Sequence, residues 1–289
     1  MPAIAVQENQ YETYILTDES AQAQLSVVPE RGGIITSWQV QGQEIFYLDA
    51  ERFKDPTLSV RGGIPLLFPI CGNLVGDAYT LDGKNYSLVQ HGFARTSPWQ
   101  VTQQATADGA CLTVTLKSNE ATRPVYPFEF ELDYTYTLKG KTLELRQRHT
   151  NLSSQPMPFS TGIHPYFAIA DKRQLTVTIP SDQYQIKGDA TVQTFDGPFD
   201  FDQDEIDYAF INLTGQTATA FDAARQLKLS IHFDSHYSTL VFWAVKGKDF
   251  YCLEPWTGPR NALNTGHNLL IVAPGDSLET VISLTVEVG

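Results

Sequence analysis

The stretch Phe130-Glu131-Leu132-Asp133-Tyr134-Thr135-Tyr136-Thr137-Leu138 decides the fold. Apolar and polar side chains alternate at every step, so in an extended chain Phe130, Leu132, Tyr134, Tyr136 and Leu138 share one face. A helix could not gather them, because a 3.6-residue period scatters alternate positions around the axis. Working outward, the same alternation returns in Leu227-Lys228-Leu229-Ser230-Ile231-His232-Phe233, in Cys111 to Leu116, Leu143 to Leu145, Leu175 to Ile179 and Val281 to Val286. Such runs predict antiparallel strands with one face on a core and one toward water. Thr239 to Val245 is almost wholly apolar, which predicts a strand covered on both faces. Asp82-Gly83, Asp108-Gly109, Lys139-Gly140-Lys141, Lys246-Gly247-Lys248 and Pro274-Gly275 punctuate the runs as hairpin turns. The 16 prolines are spread along the chain and leave few windows long enough for a helix. The expectation is an all-β protein, a large antiparallel β-sandwich of two or more stacked sheets.

Composition narrows the class. Of 289 residues, 42% are hydrophobic, 11% aromatic and 18% charged, a balance that excludes a disordered chain and supports a substantial core. Twenty basic residues stand against 33 acidic ones, a formal net charge of −13. With no Lys/Arg cluster to displace counterions from phosphates, nucleic acid and anionic membrane are not expected partners. No run approaches the ~20 apolar residues that cross a bilayer. The start, Met1-Pro2-Ala3-Ile4-Ala5-Val6-Gln7-Glu8, has neither a basic opening nor an apolar centre and does not read as a secretory signal. Cys71, Cys111 and Cys252 are odd in number and widely spaced. They predict reduced thiols in the cytoplasm, not a disulfide framework or a cysteine zinc site.

Four segments break the strand pattern. Arg61-Gly62-Gly63-Ile64-Pro65-Leu66-Leu67-Phe68-Pro69 combines paired glycines with two prolines, an irregular path that lets other groups approach the backbone; alone it also reads as a bend with an exposed Arg. His91-Gly92-Phe93-Ala94-Arg95 places a histidine beside a glycine and near a guanidinium, outside any alternating run. Gly162-Ile163-His164-Pro165-Tyr166-Phe167 holds a histidine extended before proline in a loop, where functional groups concentrate. Leu253-Glu254-Pro255-Trp256 sets a carboxylate after the apolar strand Phe250 to Leu253, pinned by proline and next to an aromatic, the marks of a general base on a sugar-stacking platform. Phe93 and Tyr166 are further stacking candidates. His232 falls on the polar face of its run and is expected in solvent. His232 and His236, four apart, would make a metal pair on a helix but not on a strand and turn.

Taken together and in this order, the four segments resemble the galactose-mutarotase-like superfamily of aldose 1-epimerases and hexose-6-phosphate mutarotases. The resemblance spans most of the chain. It implies one aldose 1-epimerase-like domain over residues 1–289, a β-sandwich of the supersandwich type, no cofactor or metal, and a small-molecule sugar or sugar phosphate as partner. It assigns His164 as acid and Glu254 as base, His91 as a second substrate-binding histidine, and Asp207, in Glu205-Ile206-Asp207-Tyr208-Ala209-Phe210, as a ligand of sugar hydroxyls. The residue types suit the reaction in their own right. Interchanging α and β anomers needs a proton taken from the C1 hydroxyl and another given to the ring oxygen, and a carboxylate facing an imidazole can do both.

The substrate divides the expectations. Arg61-Gly62-Gly63-Ile64-Pro65 resembles the branch acting on hexose 6-phosphates, with Arg61 and Arg95 as phosphate ligands. Asn73 stands where a second branch often has arginine, and a net charge of −13 works against long-range steering of a phosphosugar. On that balance a free aldohexose is placed ahead of a hexose 6-phosphate. Two other classes stay open on the same fold: a non-catalytic carbohydrate-binding protein, and a glycoside hydrolase with Glu254 and Asp207 as its carboxylate pair.

Overall fold

A computed structural model describes residues 1–289, with 25 strands and two short α-helices, Ala50–Lys54 and Ala262–Thr265. Phe130–Lys139 forms as its alternation requires, with every second residue from Phe130 to Leu138 buried. It lies antiparallel between Ala110–Lys117 and Thr142–Asn151. These strands sit in an eight-stranded sheet ordered Leu175–Thr178, Thr217–Asp222, Leu227–Phe233, Ser277–Val288, Thr142–Asn151, Phe130–Lys139, Ala110–Lys117, Gln100–Ala105. A five-stranded meander, Pro2–Glu8 through Gln43–Glu44, forms a second sheet. The third sheet carries the site. Its order is Gln193–Thr194, Gln183–Ile186, Glu205–Ile211, Thr239–Val245, Phe250–Trp256, Gly162–Ile163, Leu66–Leu67, with Tyr166–Ala168 also paired to Phe250–Trp256. Leu16, Leu25 and Trp38 of the meander, Leu132, Tyr134 and Leu284 of the long sheet, and Phe210, Leu240 and Leu253 of the third all belong to one cluster of 57 buried apolar residues. The three sheets therefore share a core, the stacked all-β sandwich expected from the alternation.

One boundary differs from the sequence expectation. The strand beginning at Phe250 does not stop at Leu253 but continues to Trp256, so Glu254 lies inside it. Pro255 is tolerated there because the neighbouring ladder is broken. Gly162 pairs with Trp256 and Tyr166 with Cys252, leaving the His164-Pro165 link unpaired between them. Thr257 N donates to Thr161 O across that side. By the strand's two-residue period the Pro255 nitrogen faces the same interrupted side, and no ladder bond is forfeited.

Candidate active site

The register of the third sheet assembles the site. Asp207 pairs with Trp243 and Ala209 with Val241; Trp243 in turn pairs with Cys252, and Val241 with Glu254. Beyond Glu254, the register that joins Gly162 to Trp256 and Tyr166 to Cys252 sets His164 opposite Glu254. Residues opposed across a ladder share a face. His164 Nε2 accordingly stands 3.3 Å from Glu254 Oε1. The seven residues expected to act in catalysis or substrate binding, Arg61, His91, Arg95, His164, Asp207, Glu254 and Trp256, line one pocket over this face, together with the stacking candidate Tyr166. Convergence of the two histidines on Glu254 fits acid/base work better than carbohydrate binding alone.

Each group is held in a definite state. Glu254 is buried, accepts a bond from Trp256 Nε1 at 3.2 Å, and has its carboxyl pushed well above the usual range by burial and then by Asp207. His164 stacks nearly parallel on Tyr166, ring centroids 4.8 Å apart, which fixes the plane of the imidazole. Burial, reinforced by the Arg95 charge, drops its pKa to about 3, which makes the protonated ring a strong proton donor. His91 donates its backbone N–H to Gly72 O at 2.7 Å and accepts from Gly72 N on its Nδ1 at 3.1 Å. An amide N–H can only donate, so Nδ1 is unprotonated and the neutral ring carries its hydrogen on Nε2. Burial, then the neighbouring His164, lowers the His91 pKa and keeps that ring neutral. His91 is thus a fixed hydrogen-bond donor.

Cations and anions alternate around the pocket. Asp207 is engaged by Arg260 NH2 at 2.6 Å and by Lys187 Nζ at 3.6 Å. Its carboxylate is therefore committed to two cations, while Glu254 faces His164, an arrangement that disfavours the two-carboxylate hydrolase reading. Arg61 and Arg95 form no ion pair; Arg95 makes one hydrogen bond, to Gln90 O at 2.8 Å, and its buried Nε has no partner. His164, Cys252 and Glu254 place three ligand-type atoms within 4.8 Å of one another. Cys252 and Glu254 meet through the strand's two-residue period, and His164 joins them through the register opposite Glu254.

Two expectations about stacking need correction. Phe93 packs into the core against Phe68, Tyr126 and Phe130 and does not line the pocket. Trp256 is 1% exposed: Arg260 lies over its ring at 5.1 Å and His91 meets it edge-on, so no sugar can lie on it. It braces Glu254 instead. Sequence reasoning passed over Trp243, which lines the pocket half-buried, with Nε1 on Glu205 at 2.6 Å. Its place in a wholly apolar run disguised it as core. Arg260 was also missed. It supplies a guanidinium near the position where Asn73 seemed to leave a gap, and Gly72 makes the room: a Cβ there would stand 2.4 Å from Arg260 Cγ. His232 is exposed on its strand and bonded to Thr217, as its polar-face position implied.

The architecture and sequence both have counterparts. The structure of the Slr1438 protein from Synechocystis sp. PCC 6803 superimposes with a TM-score of 0.95 at 46% identity over 100% of both chains. A galactose mutarotase-like protein from Clostridium acetobutylicum follows at TM-score 0.83 and 22% identity, covering 100% of this chain and 99% of that one, a likeness of fold. A Cenchrus ciliaris protein named "Putative glucose-6-phosphate 1-epimerase" is 29% identical over 156 residues, 50% of this chain and 44% of that relative, so the match spans less than half its length. The family profile described as Aldose 1-epimerase matches residues 14–285. A match running from the first sheet to the last strand leaves no part of the site outside it: the chain belongs to the aldose 1-epimerase family and is an isomerase of sugars or sugar phosphates.

Proposed function

We propose that this chain is a hexose-6-phosphate 1-epimerase in which Glu254 and His164 move the protons and Arg61 and Arg95 hold the phosphate. Glu254 takes the C1 hydroxyl proton as the C1–ring oxygen bond breaks, and the ring oxygen receives a proton from His164 in its imidazolium form, the form that pairs with the Glu254 carboxylate 3.3 Å away. The open-chain aldehyde turns about C1–C2 and closes on its other face, each proton retracing its path. Ring closure hands the Glu254 proton back to the C1 oxygen and returns the other proton to His164, leaving the site as it began. A raised carboxyl pKa makes Glu254 a better base than an exposed glutamate. His91 Nε2–H offers a bond to a sugar oxygen, and Trp243 offers an aromatic surface beside it.

The observation that carries the phosphate is the contrast among the pocket's cations. Arg260 and Lys187 are neutralised by Asp207, whereas Arg61 and Arg95 reach the same pocket without a carboxylate. For a free sugar one of them would be expected to brace an acid. This reverses the preference for free aldose drawn from net charge, since local guanidiniums outweigh a distant excess of carboxylates at contact range. The test is polarimetry on freshly dissolved α-glucose 6-phosphate and α-glucose, before and after Arg61→Ala. A charge-assisted phosphate contact is worth about 1.5–3 kcal/mol, so the kcat/KM ratio should favour the phosphate and fall roughly 10- to 100-fold in the variant. A wild-type ratio near or below one, unchanged in the variant, would return the assignment to free aldose.

A further inference from the structure

The pocket wall at Ser59, Val60 and Arg61 ends a loop that leaves the sheets at Leu48 and returns at Gly62, where the two ends bridge and Asp49 N donates to Arg61 O at 2.9 Å. Between them the loop holds one five-residue helix and no strand. Gln10 Nε2 donates to Lys54 O at 2.6 Å, Phe53 packs on Tyr11, and Val60 packs with Val28 and Ile34, but most of the loop's long-range hydrogen bonds come from one distant side chain. Arg31 is only 7% exposed and forms no ion pair. Its guanidinium donates to four carbonyls of the loop: Asp55 O at 2.6 Å, Leu58 O at 2.7 Å, and Phe53 O and Pro56 O at 3.4 Å. A buried cation is costly unless its donors are satisfied, and here loop backbone does all of it, so the loop and the side chain hold each other in place.

The turn that carries Arg31 also touches the second guanidinium's segment. Gly32 caps the Pro29–Arg31 turn at φ 90°, and a Cβ on it would stand 2.2 Å from Arg95 O. The turn itself is tied down by Trp99 N on Pro29 O at 3.0 Å and by Tyr136 OH on Gly33 O at 2.6 Å. One rigid turn thus bears against Arg61's wall on one side and Arg95's backbone on the other. We propose that Arg31 is a positioning residue for the anionic end of the substrate, setting Arg61 at a fixed spacing from Arg95 through its four-carbonyl clasp. The proposal rests on the phosphosugar reading above. Arg31 itself touches no substrate.

The experiment compares wild type, Arg31→Met, Arg31→Lys, Arg61→Ala and the Arg31→Met/Arg61→Ala double variant on glucose 6-phosphate and glucose, with amide hydrogen exchange over residues 53–61. Met keeps the aliphatic stem and removes all donors; Lys keeps the charge with one donor centre and serves if Met does not fold. Displacing a binding group by about 1 Å can cost up to 10²-fold, so KM for glucose 6-phosphate should rise roughly 10- to 100-fold in Arg31→Met, less in Arg31→Lys. Its kcat and the kcat/KM for glucose should stay within about twofold, and exchange at 53–61 should quicken. In the Arg61→Ala background the Arg31 effect on KM should vanish, because the clasp acts through Arg61. An equal loss on both sugars, or an undiminished effect without Arg61, would overturn the proposal. If Arg61→Ala alone leaves KM for glucose 6-phosphate unchanged, it is the phosphate reading that fails. Amide exchange then decides the clasp: faster exchange supports it, and unchanged exchange overturns it.

Discussion

Glu254→Gln separates proton transfer from architecture. Glu254 is 1% exposed, accepts from Trp256 Nε1 at 3.2 Å and faces His164 Nε2 at 3.3 Å. Glutamine fills the same volume and its oxygen keeps the Trp256 bond, but it cannot take a proton. Turnover should fall by at least ~10²-fold, the low end for loss of a general base. Stability should move the other way. Burial is the largest cause of the raised carboxyl pKa, with Asp207 next, against the opposing pull of Arg260, Trp256 and Arg95. The ionised form is therefore disfavoured in the fold relative to water. With the folded pKa above the unfolded one, the carboxyl's contribution is complete where it is protonated in both states and is lost as pH rises through the raised folded value. Glutamine suffers no such loss. Its advantage should be absent at about pH 4, below the ordinary glutamate value, and should grow through neutrality. Each kcal/mol gained corresponds to about 2–4 °C in Tm for a large domain. Polarimetry on both sugars, with thermal unfolding followed by circular dichroism at acid and at mildly alkaline pH, measures both effects. Turnover near wild type in a folded variant would move the base elsewhere, and a Tm below wild type at alkaline pH would refute the burial argument.

Asp207→Asn removes a negative charge that raises the Glu254 pKa and frees Arg260, which lowers it. The acid limb of the kcat/KM–pH profile should shift to lower pH, and a limb that stays or moves up would show that it does not report Glu254. Trp243→Ala deletes the aromatic surface left open to the sugar; a stacking contact of about 1–1.5 kcal/mol predicts a KM rise of up to tenfold with kcat little changed. An unaltered KM would place the sugar elsewhere in the pocket. Phe68→Ala empties a fully buried position packed on Phe93, Tyr126, Phe130 and Phe159, and urea unfolding should register a loss of about 3–5 kcal/mol. A loss under about 1 kcal/mol would mean that the core closes over the gap.

The fold was legible because a strand's period is local. Phe130–Lys139 and Leu227–Phe233 each declare their buried face within a few residues, Thr239–Val245 declares itself covered on both faces, and glycine turns follow the first and the last. His91, His164 and Glu254 were legible as well, since each breaks that period with residues whose chemistry has few structural uses. Side-chain direction around them was not. His91 and Gly92 have φ of 66° and 67°, and the chain's reversal there turns Phe93 into the core although it is two residues from a pocket histidine. Trp243 and Arg260 carry no local signal of their place. Trp243 reaches the pocket only because it pairs with Asp207 and Cys252, and Arg260 only because Trp256, Asp207 and Gly72 receive it from a following loop. The four carbonyls that gather on Arg31 belong to residues more than twenty positions away. The sequence by itself determined which segments are strands and which residue types could do acid/base chemistry, because both follow from short-range pattern. Register across the third sheet decided which side chains meet, because opposition across a ladder depends on how distant strands align, which no window of sequence contains.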